Sequence, residues 1–431
     1  MTANSQTITF SIDRLCSGTT LPGPIYEDTD SGVLLLQAGV CVSEEQIDQL
    51  KNRGIKQIRI EKRFADSLFS SAPRRAGNRP IRQRNPTTPQ AQRAEKSAPP
   101  ICRPEPKTTW SAQGSQSVAK LRGAQSERLS NVYTLLETQG GIDADILDEI
   151  GQESIDQLSV DMDLFIKASI EPQLSEAASE HCVRVAQLAV AVGAVAGHTR
   201  EELRWLAMGC LVSRCCATES ARELSEEPRR LTEVEFAEIK RTPGRVFDML
   251  STIDFPLVAR TVAYQIHERW NGTGYPRRKA GNQIHVLARV AGVCDAYVSL
   301  SSPRPHRPAF SLYAAVVQIL ADARAGLFDP QTIRHFLRTV SLYPIGAYVR
   351  LSTGQIGRVV RTSPDAYDRP SVEIVGESPH RIIALTESPD VQVVEVIDPE
   401  QAAEEIFVPQ EGQLDSDQIN FLLGVPSTQE I

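Results

Sequence analysis

The 431-residue chain has no uninterrupted apolar run approaching the ~20 residues that a membrane-spanning helix needs. Its opening residues, Met1 to Thr7, hold no basic cluster leading into an apolar stretch, so a secretory leader is not legible there and a cytoplasmic location is expected. A basic surplus is missing as well. With 46 Lys and Arg against 54 Asp and Glu, the net charge is -8, which argues against a specific nucleic-acid binder. The 8 cysteines include no C-x-x-C pair, and several fall inside helical apolar patterns, so free thiols fit better than a disulfide framework. What is present is ordinary for a folded protein: 41% hydrophobic and 23% charged residues. The length exceeds what one core usually serves, which predicts two to four domains.

The pattern changes several times along the chain. In residues 1–62, Ile8, Phe10 and Ile12 alternate with polar neighbours, Val33 to Leu36 form an apolar run, Ser43 is placed to cap a helix ended by Gly54, and Ile55, Ile58 and Ile60 suggest a last strand. A small α/β module is expected there, with a recognition or docking role. Residues 63–125 read as a linker, because segments such as Pro73-Arg74-Arg75 and Arg79-Pro80-Ile81-Arg82 have too little apolar surface to bury. Residues 126–340 are helical in period: Val185, Leu188, Ala189, Val192 and Val195 share one stripe, and Leu203, Leu206, Ala207, Cys210 and Leu211 another. Residues 341–400 alternate as short strands around turns such as Thr353-Gly354, and the tail, 401–431, is acidic before a short amphipathic helix at Asp415 to Leu423. The expected fold class is therefore multidomain α+β, with a central all-α helical bundle flanked by a small N-terminal α/β module and a C-terminal β-rich module.

Two positions in the bundle carry chemistry on an apolar face. His181 lies one turn before Val185, so its ring should point inward. Asp295 follows Ala288 and Ala291 at helical spacing, and a buried carboxylate needs a cation, a metal or several donors to stay charged. With His267 these residues make three candidate metal donors, a thin set for a hard or borderline cation.

His267 opens the segment His267-Glu268-Arg269-Trp270-Asn271-Gly272-Thr273-Gly274-Tyr275-Pro276, which continues to Arg289–Asp295 and to Arg304 and Arg307. This stretch resembles the signature of the HD-GYP family, HD-type helical domains that act as metal-dependent cyclic di-GMP phosphodiesterases. Laid along the chain, the resemblance implies losses. Val212 and Ser213 stand where the family has its His-Asp doublet, Cys216 where it has a Lys, and Thr242 and Ile266 where it has His. Only His181, His267 and Asp295 remain, as a vestigial metal set. Valine and serine cannot bridge two metals or help generate hydroxide, so a degenerate, non-catalytic member is expected and no cofactor, with Fe or Mn only if the site survives. The alternative is a residual or altered phosphodiesterase. A zinc site built from Cys216 and its neighbouring cysteines is a lesser option than core packing.

The loop itself is better preserved. Gly272 and Gly274 permit positive φ, Pro276 fixes the exit, Tyr275 offers a ring for stacking on a purine, and Arg304 and Arg307 offer forks for phosphate. The bland alternative is that Trp270 and Tyr275 pack the loop against the bundle and that the arginines pair with acidic helices. Glu268, Arg269, Gly274, Tyr275, Pro276, Arg304 and Arg307 are thus the candidate ligand or partner surface. The resemblance implies cyclic di-GMP, or a diguanylate cyclase or other signalling protein, as the partner.

Overall fold

In the computed structural model the chain divides into two units, residues 1–85 and 86–431. The structure describes residues 7–12, 21, 25–27, 34–36, 42, 47, 50–51, 53 and 55–61 of the first unit. In the second it describes 97–398, apart from 110, 172–176, 218, 226, 230, 305–306 and 377–380. The tail helix expected at Asp415 to Leu423 and most of the linker lie outside these residues.

The first unit holds an antiparallel sheet of β1 (Thr7–Ser11), β2 (Ile25–Glu27), β3 (Leu34–Leu36) and β4 (Gln57–Glu61), in the order β1-β4-β2-β3. Phe10, Ile12, Ile25, Ile58 and Ile60 are buried together, so the alternation in the sequence marks the inward face of this sheet. Ile8, at the start of that alternation, stays exposed.

The second unit begins with helices α1 (Ala112–Gln139), α2 (Ala144–Gln157) and α3 (Met162–Ile170), capped at their starts by the Ser111, Asp143 and Asp161 side chains. At its centre lies α4 (Ala178–Val195). From Ser179 to Ala194 every residue but Glu180 is buried, the polar His181, Arg184 and Gln187 included. It packs against α1, α3, α5 (Arg200–Leu211) and α10 (Val286–Ser301). Between these come α6 (Glu219–Ser225), α7 (Glu233–Ile239), α8 (Thr242–Leu250) and α9 (Leu257–Gln265), and after them α11 (Leu312–Arg324) and α12 (Pro330–Val340). Helices α5 and α9 come unusually close. A Cβ on Gly209 would stand 2.6 Å from Val262 Cβ and 2.7 Å from the Ala259 carbonyl, so only glycine fits. That contact brings the turn after α5 beside the end of α9, where His267 follows.

The expected linker ends earlier than residue 125. Residues 97–109 already pack on the bundle: Cys102 exchanges backbone hydrogen bonds with Leu158 and Met162, and Arg103 pairs with Asp163 at 3.0 Å. Helix α1 then covers 112–125, tied down by buried Val118, by the Arg122 guanidinium donating to the Ala168 carbonyl, and by Gln125. The composition of this stretch is that of a tether, and tertiary contacts override it.

The C-terminal sheet is fully antiparallel, in the order β8-β7-β6-β5-β9, from β5 (Tyr348–Leu351), β6 (Ile356–Arg361), β7 (Ser371–Ile374), β8 (Ile382–Ala384) and β9 (Val393–Ile397). It is locked to the helices by Arg361, whose Nη1 donates to both Asp161 carboxylate oxygens at 2.8 and 2.9 Å, and by Thr362, which donates to Asp163 at 2.7 Å. Among the described residues no helix is long and apolar enough to cross a membrane.

Candidate functional site

Four side chains from four parts of the helical region meet below the signature loop. Asp295, inward on α10, is the hub. His181 from α4 lies 2.9 Å away through Nε2 to Oδ1, and His267, just past α9, lies 3.4 Å away through Nδ1 to Oδ2. A carboxylate cannot donate, so His181 Nε2 carries the hydrogen it gives to Asp295. The fourth is Arg214, in the turn after α5, whose Nη2 lies 3.3 Å from Asp295 Oδ1. Burial would raise the Asp295 carboxyl, but the hydrogen bonds from His181 and His267, with the charge of Arg214, hold it well below the usual carboxylate range. His267 is lowered by burial against the opposing pull of Asp295.

The sequence-predicted trio is therefore brought together, but as an ion-paired cluster. Asp295 is already held by both imidazoles, and a divalent ion there would sit beside a guanidinium. The surrounding positions offer no replacement. Val212 is fully buried, and Ser213 donates its hydroxyl to the Cys210 carbonyl at 2.8 Å. Ile266 is buried in apolar surroundings, and the buried Thr242 opens α8. Cys216 lies beyond the end of α5, in a turn, so it does not share a helix face with Val212. Among the described residues no group of three or more His, Cys, Asp or Glu side chains is arranged to hold a metal ion. These residues do not fit a family-type metal pair.

The loop's signature residues face mostly into the protein. Glu268 is buried and clamps the loop: its Oε1 accepts from Arg277 N at 2.8 Å and its Oε2 from Lys279 N at 3.0 Å. Arg269 donates to the Glu268 carbonyl at 3.0 Å and lies over the Phe328 ring. Gly272 has φ +78°, as expected. Gly274 is required for another reason than positive φ: a Cβ there would stand 2.3 Å from Arg269 N and 2.5 Å from the His267 carbonyl oxygen. Tyr275, joined to Pro276 by a cis peptide bond, has its ring stacked on His267 at 4.9 Å and set edge-on to Phe236 at 5.9 Å. Burial pushes its hydroxyl up to about 12. The ring expected to receive a purine is thus already covered.

Arg307 also departs from its expected role. Its guanidinium donates to the carbonyls of Ser299, Leu300 and Pro308 and lies over Phe310, so it closes the end of α10 instead of presenting a fork. Arg304 bridges Arg307 through paired backbone hydrogen bonds, with Nη2 3.4 Å from Ser299 Oγ. Two features escaped sequence reasoning. Arg214 sits in a turn with no periodic signal. Arg277 and Arg278, just past Pro276, are exposed on the loop's outer side, where the charge pattern Arg-Arg-Lys was the available clue.

Residues 168–332 match the HD domain family, and residues 348–405 match a KOW domain associated with HD domains. A cyclic di-GMP phosphodiesterase of Pseudomonas aeruginosa is 36% identical over 151 residues, covering 34% of this chain and 36% of that protein. The helical region carries an HD domain. A cyclic di-GMP phosphodiesterase response regulator of Xanthomonas campestris is 31% identical over 157 residues, 36% of this chain and 41% of that one. The chain thus spans well under two thirds of these curated relatives. Among solved structures, an HDG"Y"P protein from Bdellovibrio bacteriovorus superposes with a TM-score of 0.44 at 14% identity, covering 77% of this chain and 98% of that chain. The HD domain match includes the stretch from His267 to Pro276 that carries the resemblance to the HD-GYP family.

Proposed function

We propose that this HD-GYP domain works in cyclic di-GMP signalling without hydrolysing the nucleotide, as a degenerate member that serves as a sensor or protein-interaction scaffold. The observation that carries this reading is Arg214 on Asp295: the positive charge that a bridging metal would supply to this carboxylate comes from a guanidinium, with two imidazoles hydrogen-bonded beside it. Such a cluster can hold the helices in register, but it supplies neither a Lewis acid nor an activated hydroxide.

A binding role is supported by what the loop keeps facing outward. Arg277 and Arg278 are exposed. Beside them Phe236 of α7, in contact with Tyr275, is 39% exposed, and Val234 on the same short helix is 83% exposed. Basic charge next to apolar surface suits an anionic nucleotide or an acidic partner surface, a signalling protein such as a diguanylate cyclase among them. The test is to incubate the purified chain with cyclic di-GMP and Mn²⁺ or Fe²⁺. We expect no linear product above that of Asp295→Ala, and turnover clearly above that control would overturn the reading. Calorimetry with the nucleotide then divides the two roles. Heat lost in Arg277→Ala/Arg278→Ala marks a sensor, and no heat in the intact chain marks a scaffold.

A further inference from the structure

Two adjacent thiols stand in the turn that follows α5, and the site described above uses neither. Cys215 Sγ and Cys216 Sγ are 3.7 Å apart, in hydrogen-bond contact and not joined as a disulfide. They differ in access, Cys215 being buried at 3% exposure and Cys216 only partly buried. Their electrostatics differ in the same sense. The hydrogen bond between them raises the Cys215 thiol and lowers that of Cys216, which outweighs burial at Cys216, and Arg245 lowers Cys216 further. Arg245 pairs with Glu238 through Nη2 at 2.6 Å, while its buried Nη1 has no hydrogen-bond partner. By contrast, Cys182, Cys210 and Cys294 lie fully inside the apolar core, where burial raises their thiols.

We propose that Cys215 and Cys216 form a thiol oxidation site for a peroxide, with Cys216 as the attacking sulfur and Cys215 as the resolving one. The Cys216 thiolate attacks one peroxide oxygen, the O–O bond breaks, and the other oxygen leaves as hydroxide or alkoxide and takes up a proton. Cys216 becomes a sulfenic acid. The Cys215 sulfur then attacks the Cys216 sulfur, a disulfide forms, and the sulfenic oxygen leaves as water with the Cys215 proton. Two electrons pass from the two thiols to the peroxide. The sulfurs must close from 3.7 Å to about 2.05 Å between neighbouring residues whose Cα atoms are only about 3.8 Å apart, so the bond is strained and readily reduced. The positive charge of Arg245 favours the thiolate of Cys216. Attack is directed to this pair because it combines a partly accessible, lowered thiol with a second thiol already in contact.

Peptide mapping of the reduced full chain after brief exposure to hydrogen peroxide tests this directly. The peptide containing both residues should lose two hydrogens, resist iodoacetamide, and recover both on treatment with dithiothreitol. Cys216→Ser should abolish the change and leave Cys215 alkylatable, whereas Cys215→Ser should leave Cys216 as a sulfenic acid labelled by dimedone. Two results in the unsubstituted chain overturn the inference, whatever the folding of the variants. One is that both thiols remain alkylatable while free glutathione in the same tube is oxidised. The other is that Cys216 is joined to a different cysteine while Cys215 stays reduced.

Discussion

The signature loop, Glu268 to Lys279, and the cluster beneath it, His181, Arg214, His267 and Asp295, have kept different things. The loop keeps its motif nearly whole, and almost every motif residue serves its own shape: Glu268 holds two backbone amides, Gly274 admits a backbone crossing, and Tyr275 covers His267. The cluster keeps three donor side chains and neutralises the carboxylate with an arginine. The comparison teaches that a retained motif can report a retained backbone geometry. Chemistry has to be read from the charges that meet beneath it.

The largest expected effect comes from breaking the cluster at its hub. Asp295→Ala leaves Arg214 and two imidazoles around an emptied position and should lower stability by about 3 kcal/mol, read as an earlier urea midpoint with an unchanged slope. If the midpoint does not move, the cluster is no structural keystone and the comparison loses one side. Next comes Gly274→Ala, which drives a methyl into backbone and should cost about 2 kcal/mol in the same assay. Its control is Gly244→Ala on α8, where an added Cβ meets nothing within 4 Å; helix propensity there should make the change neutral or stabilising by up to about 1 kcal/mol. Glu268→Gln keeps the shape and removes the charge that Arg277 N and Lys279 N donate to, a loss of about 1 kcal/mol that faster amide exchange at those two positions would reveal. The smallest signal concerns metal. Titrating the intact chain with Mn²⁺ should give no stoichiometric heat, and a one-to-one or two-to-one isotherm would mean that the cluster rearranges to release Arg214.

Much of this architecture could be read before any coordinates. The stripe through Val185 and Val192 and that through Leu203 and Cys210 are core helices, and the alternation at Phe10 and Ile12 marks an inward strand face. Inward His181 and charged, buried Asp295 were legible because a polar residue on an apolar stripe is conspicuous. The start of α1 was not, since residues 112–125 have a polar, small-residue composition and gain their order from Ala168, Gln125 and Val118 contacts made across the fold. Arg307 was not legible for a related reason: an arginine near a loop looks like part of a phosphate fork, whereas carbonyls at the end of α10 accept its hydrogen bonds.

The sequence by itself determined the order of modules, the helical period of the central domain, the HD-GYP character of the His267 to Pro276 stretch, and the replacement of expected donors at Val212, Ser213, Thr242 and Ile266. These are properties of local pattern and residue identity, which need no distances. Only the tertiary structure decided that Arg214 pairs with Asp295, that Tyr275 is covered, and that Cys215 and Cys216 touch with unequal access. Each depends on how separate helices and turns converge, and on electrostatic neighbours that lie far apart along the chain or point in directions a sequence does not specify.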